Sequence, residues 1–357
     1  MSRWFGYVPD AAAGGTTLDT LAADPIPTAT TFVPVTTANA DPNTHQVDRN
    51  NLVTGVRGQA APVAFASDPR MTFETLAFAK FLRQFLPKAM GGSVTPTGVA
   101  PAAVHTVVEM AQSGVSLPAI IGTLIREGQA DRMTGLWLNS LECNFPVDAE
   151  GTVNAELWGL YHEVDPTASI AAELPAGSTI TAGYDDAYLL RDINAIMGDG
   201  AGVPIDCLAG FGFTVNNNLI DDFKSRFCAG KNIWEDTLDT VLHRLWYPNV
   251  QKLGPQTITG RLDFGDVKPD RELRRILTHC EKLVVELTAG PLATTPAADE
   301  MARLTFYKQA PTGGGADPLQ RDGDQTSSYE FTAYVDPATG KDLEVEFIST
   351  AAVTLAD

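Results

Sequence analysis

From Ile205 to Val215 every second position is apolar: Ile205, Cys207, Ala209, Phe211, Phe213 and Val215. A period of two puts these side chains on one face of an extended chain, so the pattern predicts a half-buried strand. The block GLWLNSLECNFP alternates in two phases, Leu136 and Leu138 and then Leu141, Cys143 and Phe145. One extra residue at Asn139-Ser140 reconciles the phases, which predicts a β-bulge there. Asp148 to Gly151 then turns the chain into a partner strand over 152–164. Further strands are predicted at TITGRLDF, LVVELT, MARLTFYK, SSYEFTAYV and LEVEFI, the last two joined as a closing hairpin by DPATGKD. The runs VHTVVEM and LPAIIGTLIRE, separated by AQSGVS, predict another hairpin between residues 102 and 127.

Helical spacing is confined to a few segments. Phe73, Leu76, Phe81, Phe85 and Leu86 predict one amphipathic helix from Asp68 to Leu86, stopped by Gly91-Gly92. Trp234, Leu238, Val241, Leu242 and Leu245 predict a helix inside an excursion over 220–255, and PDRELRRILTHCEKL predicts a short one before LVVELT. Residues 1–50, rich in Thr, Ala, Asp and Pro, hold too few large apolar groups for a core of their own. They are expected to form an extended arm that gains order on a neighbouring molecule. The expected organisation is that arm followed by one β-domain over 51–357 with 220–255 inserted.

Composition narrows the class. The 357 residues are 44% hydrophobic and 19% charged, with 31 glycines and 23 prolines, which describes a folded, turn-rich chain. No apolar run reaches the ~18 residues of a membrane span, and the start MSRWFGYVPDA has no signal-like basic and apolar regions, so synthesis in the cytosol is expected. Cys143, Cys207, Cys228 and Cys280 form no CxxC pair and read as reduced thiols. A formal charge of −19 argues against tight wrapping of nucleic acid, which needs clustered Lys and Arg.

The chemistry of enzymes finds no motif. GDGAGVP and AGKN lack the Gly-Lys-Ser/Thr ending of a phosphate loop, and there is no GxSxG elbow. His45, His105, His162, His243 and His279 include no HxH or HxxxH pair. Asp185-Asp186 and Asp221-Asp222 lack a third carboxylate at cation-binding spacing. The basic run RELRR shares its helix with Asp270, Glu272 and Glu281, so its surface is mixed in sign. The expectation is a non-enzymatic chain without catalytic residues, metal or cofactor.

The order of DPRMTFETLAFAKFL, LPAIIGTLIREGQADRMTGLWLNSLECNF, FGFTVNNNL, TITGRLDF and YEFTAYVDPATGKDLEVEFIS resembles that of the major tail tube proteins of long, non-contractile phage tails, the siphophage type. The resemblance runs over almost the whole chain and is carried most by GTLIREGQADRMTGLWLNSLECNF and FTVNNNL. It implies an all-β subunit with flanking helices, a tail-tube β-sandwich or barrel-like fold that closes into a hexameric ring. Stacked rings would form the conduit for DNA ejection in the virion tail. The implied partners are further copies of the chain, the tape-measure protein, the tail terminator and distal tail proteins, with viral DNA passing through the lumen unbound. The length of 220–255 departs from the family pattern.

On that reading the lumen sheet is expected from strands 134–145, 152–163, 205–215 and 257–264, with Glu142, Asn144, Asn154, Glu156 and Asp263 facing the channel. Trp4, Phe5 and Tyr7 are expected to make inter-subunit arm contacts. Two alternatives stand beside it: the inner tube of a contractile tail or secretion system, and a virion decoration or carbohydrate-binding β-module using Trp137, Trp158, Trp234 and Trp246.

Overall fold

A computed structural model describes residues 3–9, 31–47, 63–97, 104–110, 117–126, 129–165, 179–180, 187–188, 193–197, 203–205, 208–221, 252–265, 282–288, 301–316 and 327–349. The first strands are β1 (Arg3–Pro9), β2 (Thr31–Pro34), β3 (Thr37–Asp41), β4 (Thr44–Val47), β5 (Val63–Ser67) and β6 (Arg70–Leu76), followed by helix α1 (Ala79–Met90). Next come β7 (Gly91–Thr97), β8 (Val104–Met110), β9 (Ile120–Arg126), β10 (Gln129–Pro146), β11 (Thr152–Trp158) and β12 (Tyr161–Asp165). Then follow β13 (Thr179–Ile180), β14 (Ile193–Met197), β15 (Val203–Pro204), β16 (Leu208–Asn216) and β17 (Thr257–Phe264). The last are β18 (Leu283–Thr288), β19 (Met301–Phe306), β20 (Lys308–Ala316), β21 (Ser327–Tyr334) and β22 (Leu343–Ser349). The protein is predominantly β, with one helix among the described residues.

Strand β10 organises the larger sheet. Its first part pairs β9 and β12; its second part pairs β11 and β16. Between them the register shifts from Met133 to Leu136, and Gly135 sits at φ +60°, a left-handed backbone that glycine adopts without a Cβ clash. The second bulge falls where the phase slip predicts it. Leu138 opposes Leu157 and Ser140 opposes Glu156, so Asn139 is the extra residue, and Leu136, Leu138, Leu141, Cys143 and Phe145 all point into the core.

Beyond this bulge, β3, β6, β11, β10, β16, β17, β21 and β20 run side by side as an antiparallel sheet. A second sheet has the order β15-β14-β18-β19-β22-β8-β7. Among the described residues both sheets are open and no closed barrel is found. They share one core, where Phe306 of the second sheet meets Phe331 edge-on at 5.2 Å and Phe213 at 6.5 Å. α1 closes part of it: Phe81 and Phe85 pack on Phe73, Phe5 and Tyr7.

Several expectations change. The stretch read as one helix from Asp68 is strand β6 and then α1, because Met71, Phe73 and Thr75 alternate inward before helical spacing begins at Ala79. Its stop stands: Gly91 has φ +66° and donates its N–H to the Pro87 carbonyl. The runs at 104–110 and 120–126 are strands but no hairpin, since β8 pairs β22 and β7 while β9 pairs β1 and β10. The closing segments likewise lie in different sheets, and DPATGKD is a corner between them. The partner strand over 152–164 is two strands, β11 and β12, broken at Gly159-Leu160. The helices expected near 234–245 and 270–281 lie outside the described residues.

The N-terminal segment is no detached arm where it is described. β1 lies between β2 and β9, and Phe5 and Tyr7 are fully buried in the chain's own core. Trp4 is half-buried against Phe32 and Ile125. Two alternating aromatic positions, Phe5 and Tyr7, suffice once β9 supplies a long apolar partner.

Candidate functional site: a polar sheet face

The eight-stranded run presents one face to the core and the other to solvent, and register sorts the outer side chains into rows. One row reads Thr37, Glu74, Asn154, Glu142, Thr214, Thr259 and Thr332 across seven strands. Beside it runs Asn39, Thr72, Glu156, Ser140, Asn216 and Thr257. On the other side lie Thr152, Asn144, Gly212, Arg261, Glu330 and Gly313, and then Pro146, Gly210, Asp263 and Ser328. The intervening residues, including Val153, Leu141, Val215, Ile258 and Phe331, are buried. Alternation along the strands, reset at the bulges in β10, β16 and β20, produces this separation.

All five residues expected on one channel-facing surface, Glu142, Asn144, Asn154, Glu156 and Asp263, therefore share this outer face, and the expected strands adjoin in the order β11-β10-β16-β17. The exception is the strand expected from Ile205, which begins at Leu208, while Ile205 donates its N–H to the Ala195 carbonyl of the second sheet. Glu142 directly opposes Asn154. Sequence reasoning missed Glu74 on β6 and Glu330 on β21. The alternation in RMTFETL and SSYEFTAY carries that signal, but only the pairing shows that those strands extend the same sheet.

Charge on the face is lopsided. Glu74, Glu142, Glu156, Asp263 and Glu330 are carboxylates, while Arg261 is the one cation in these rows. Arg261 Nε lies 2.7 Å from Asp263 Oδ1 on its own strand, and Glu330 opposes it on β21. Glu156 is oriented by N–H donors from Asn139 at 3.0 Å and the Trp158 indole at 2.7 Å. Thr37 donates its hydroxyl to Glu74 at 3.2 Å.

The surface is low in relief. Asp263 lies over Gly210, where an added Cβ would come within 3.0 Å of Oδ2, and Glu330 lies over Gly313. Two shallow grooves of about 640 Å³ and 390 Å³ follow, the first over Gly210, Gly212 and Arg261, the second between Asn39, Asn154 and Glu156. No aromatic ring stands among the outward residues of the four rows. Trp158 is buried, its ring covered by the Arg70 guanidinium at 4.2 Å, and Trp137 packs in the same satellite cluster. Trp234 and Trp246 lie outside the described residues.

Nothing in this arrangement brings a nucleophile, a base and an oxyanion donor together. Cys143 points away from the face into the core, where burial, reinforced by the Glu142 charge, pushes its thiol pKa far up. His162 and Asp131 form a buried pair at 3.2 Å on the β10–β12 ladder, outside the polar face. Among the described residues no three His, Cys, Asp or Glu side chains are grouped to hold a metal ion. The geometry offers a broad, acidic, hydroxyl-rich wall. No family of known proteins matches this chain, and no curated protein does either.

Proposed function

We propose that this chain is a structural subunit that assembles with copies of itself into stacked rings. On this reading it is the tail tube of a long, non-contractile phage tail, with the polar face of the eight-stranded sheet as its inner wall. The observation that carries this reading is that face: eight adjoining antiparallel strands, backed by one core, display Thr, Asn, Ser, Gly and a carboxylate excess, with no aromatic ring in the four rows and the exposed Tyr334 ring standing outside them at the end of β21. Such a wall repels phosphate and lets a polyanion pass without adhering. The outer strands support the same reading. β3 and β20 each have one strand partner among the described residues, leaving an edge on either side for a neighbouring copy to pair.

The subunit is a virion component made in the host cytoplasm, with six copies per ring. Its partners are its own copies, the tape-measure protein and the terminator and distal tail proteins. It performs no catalysis. The inner tube of a contractile tail would use the same face, and a sheath gene beside this one separates the two. A carbohydrate-binding role draws no support from Trp137 and Trp158, which are packed in the satellite cluster.

Negative-stain electron microscopy over a concentration series, with light scattering for mass, tests the proposal. Hollow rings or tubes are expected. A monomer that never associates at any concentration refutes it.

A further inference from the structure

We infer that residues 222–251 are an insertion the fold does not need, because the chain is already closed beneath them by a stapled neck. β16 and β17 are adjacent antiparallel strands, so a short turn would suffice to join Asn216 to Thr257. The protein instead continues their pairing past the strand ends. Gly254 donates its N–H to the Asn218 carbonyl, and Ile220 donates to the Lys252 carbonyl, each at 2.9 Å. The chain thus leaves at Asp221 and returns at Lys252 with its two ends hydrogen-bonded together.

Side chains lock this neck from three sides. Asn217 is fully buried and donates to the Leu138 carbonyl at 2.7 Å and the Ala89 carbonyl at 3.0 Å, while its oxygen accepts from Gln256. Asn218, at φ +45°, donates to Pro255 at 2.6 Å and Thr257 at 3.1 Å. Asn139, the bulge residue, accepts the Leu219 N–H through its side chain and the Asn217 N–H through its carbonyl.

A small apolar cluster separate from the main core supports the same point. Leu219 is buried with Leu117 and Trp158, and Trp137 and Leu253 pack against them. Arg70, stacked on Trp158, reaches both the buried Asp68 and Asp221. Every one of these contacts joins residues on the near side of the neck. A buried polar hub with its side-chain bonds made specifies one arrangement of the chain, and the Asn217, Asn218 and Asn139 bonds that make this hub are all formed outside 222–251. The inference is independent of the tube reading and makes 222–251 a permissive position in the chain.

Two variants test it. In the first, a Gly-Ser-Gly-Gly linker replaces 222–251. In the second, a protease site is inserted after Gly230 of the full chain and cut. Circular dichroism and thermal melting of both are compared with the intact chain. At least one variant is expected to keep the β-sheet spectrum and melt with the intact chain, the cut halves co-eluting. Asn217→Ala is expected to lower the melting temperature of the shortened and full chains equally. Loss of fold in both variants, or separation of the cut halves together with misfolding of the shortened chain, overturns the inference.

Discussion

Asn217→Ala removes one buried amide that ties three elements together. Its nitrogen serves the Ala89 carbonyl, one of the final four carbonyls of α1 that no intrahelical N–H can reach, and the Leu138 carbonyl beside the bulge. Truncation leaves both oxygens in a site where Asn217 itself has no exposed surface. Each unsatisfied buried acceptor costs about 1–3 kcal/mol, so the loss sums to about 2–6 kcal/mol. Unfolding entropy near 2.1 cal/mol/K per residue gives about 0.75 kcal/mol/K for a chain of 357 residues, and the melting point falls by about 3–8 °C. Asn217→Asp is the sharper test. It keeps size and shape but replaces the donor by an oxygen facing two carbonyls, so it destabilises more than alanine does. Thermal melts and urea titrations of the three proteins read the order directly. An Asp variant as stable as the parent, or an Ala variant within about 0.5 kcal/mol of it, would refute the reasoning.

Other changes have equally definite outcomes. Phe5→Ala costs about 3–5 kcal/mol by urea unfolding, and removal of residues 1–9 yields insoluble or unfolded protein, because β1 is an interior strand. Gly260→Ala destabilises by about 1–3 kcal/mol, since the new Cβ falls 2.2 Å from the Phe331 ring; a repacked but equally stable variant would contradict this. Cys143 stays unalkylated by iodoacetamide at pH 8 in the folded protein and is labelled in urea, read by peptide mass mapping. Desolvation pulls the Asp336 pKa up, but the Ala338 N–H, the Thr339 hydroxyl and the Lys308 ammonium together hold it below the ordinary Asp value. Its contribution is therefore present above the unfolded pKa and lost as pH falls through the folded one. Asp336→Asn should flatten the acid side of the stability profile below about pH 4, and an unchanged profile would dismiss the corner as a pH-sensitive element.

Local alternation carried much of the fold. Phe211, Phe213 and Val215 announce β16, and the slip at Asn139 announces a bulge, because both follow from the two-residue period of a strand meeting a one-sided core. Alternation cannot say which strands pair. VHTVVEM finds its neighbour LEVEFIS more than 200 residues away, and RMTFETL was masked by aromatic spacing that suits a helix equally well. The polar face was legible in part for the same reason. Glu142, Asn144 and Asn154 follow from the parity of their own strands, while Glu74 and Glu330 join them only through the ladder. Phe5 and Tyr7 illustrate the opposite error, since a polar composition over 50 residues assigned to a neighbouring molecule two aromatic side chains that one partner strand places in the chain's own core.

β10 is 18 residues long, which at about 3.3 Å per residue is a single covalent span near 60 Å. The β9–β12 half and the polar-face half of the sheet hang from that one strand, so a pull along it loads both halves in series through covalent bonds. Transverse load meets a different response. Gly135 and Asn139 are the two places where its ladder steps out of register, and bending will localise there before hydrogen bonds elsewhere are strained. The subunit is thereby stiff along the strand and compliant at two fixed points across it, the mechanical character of a stave with two scored joints.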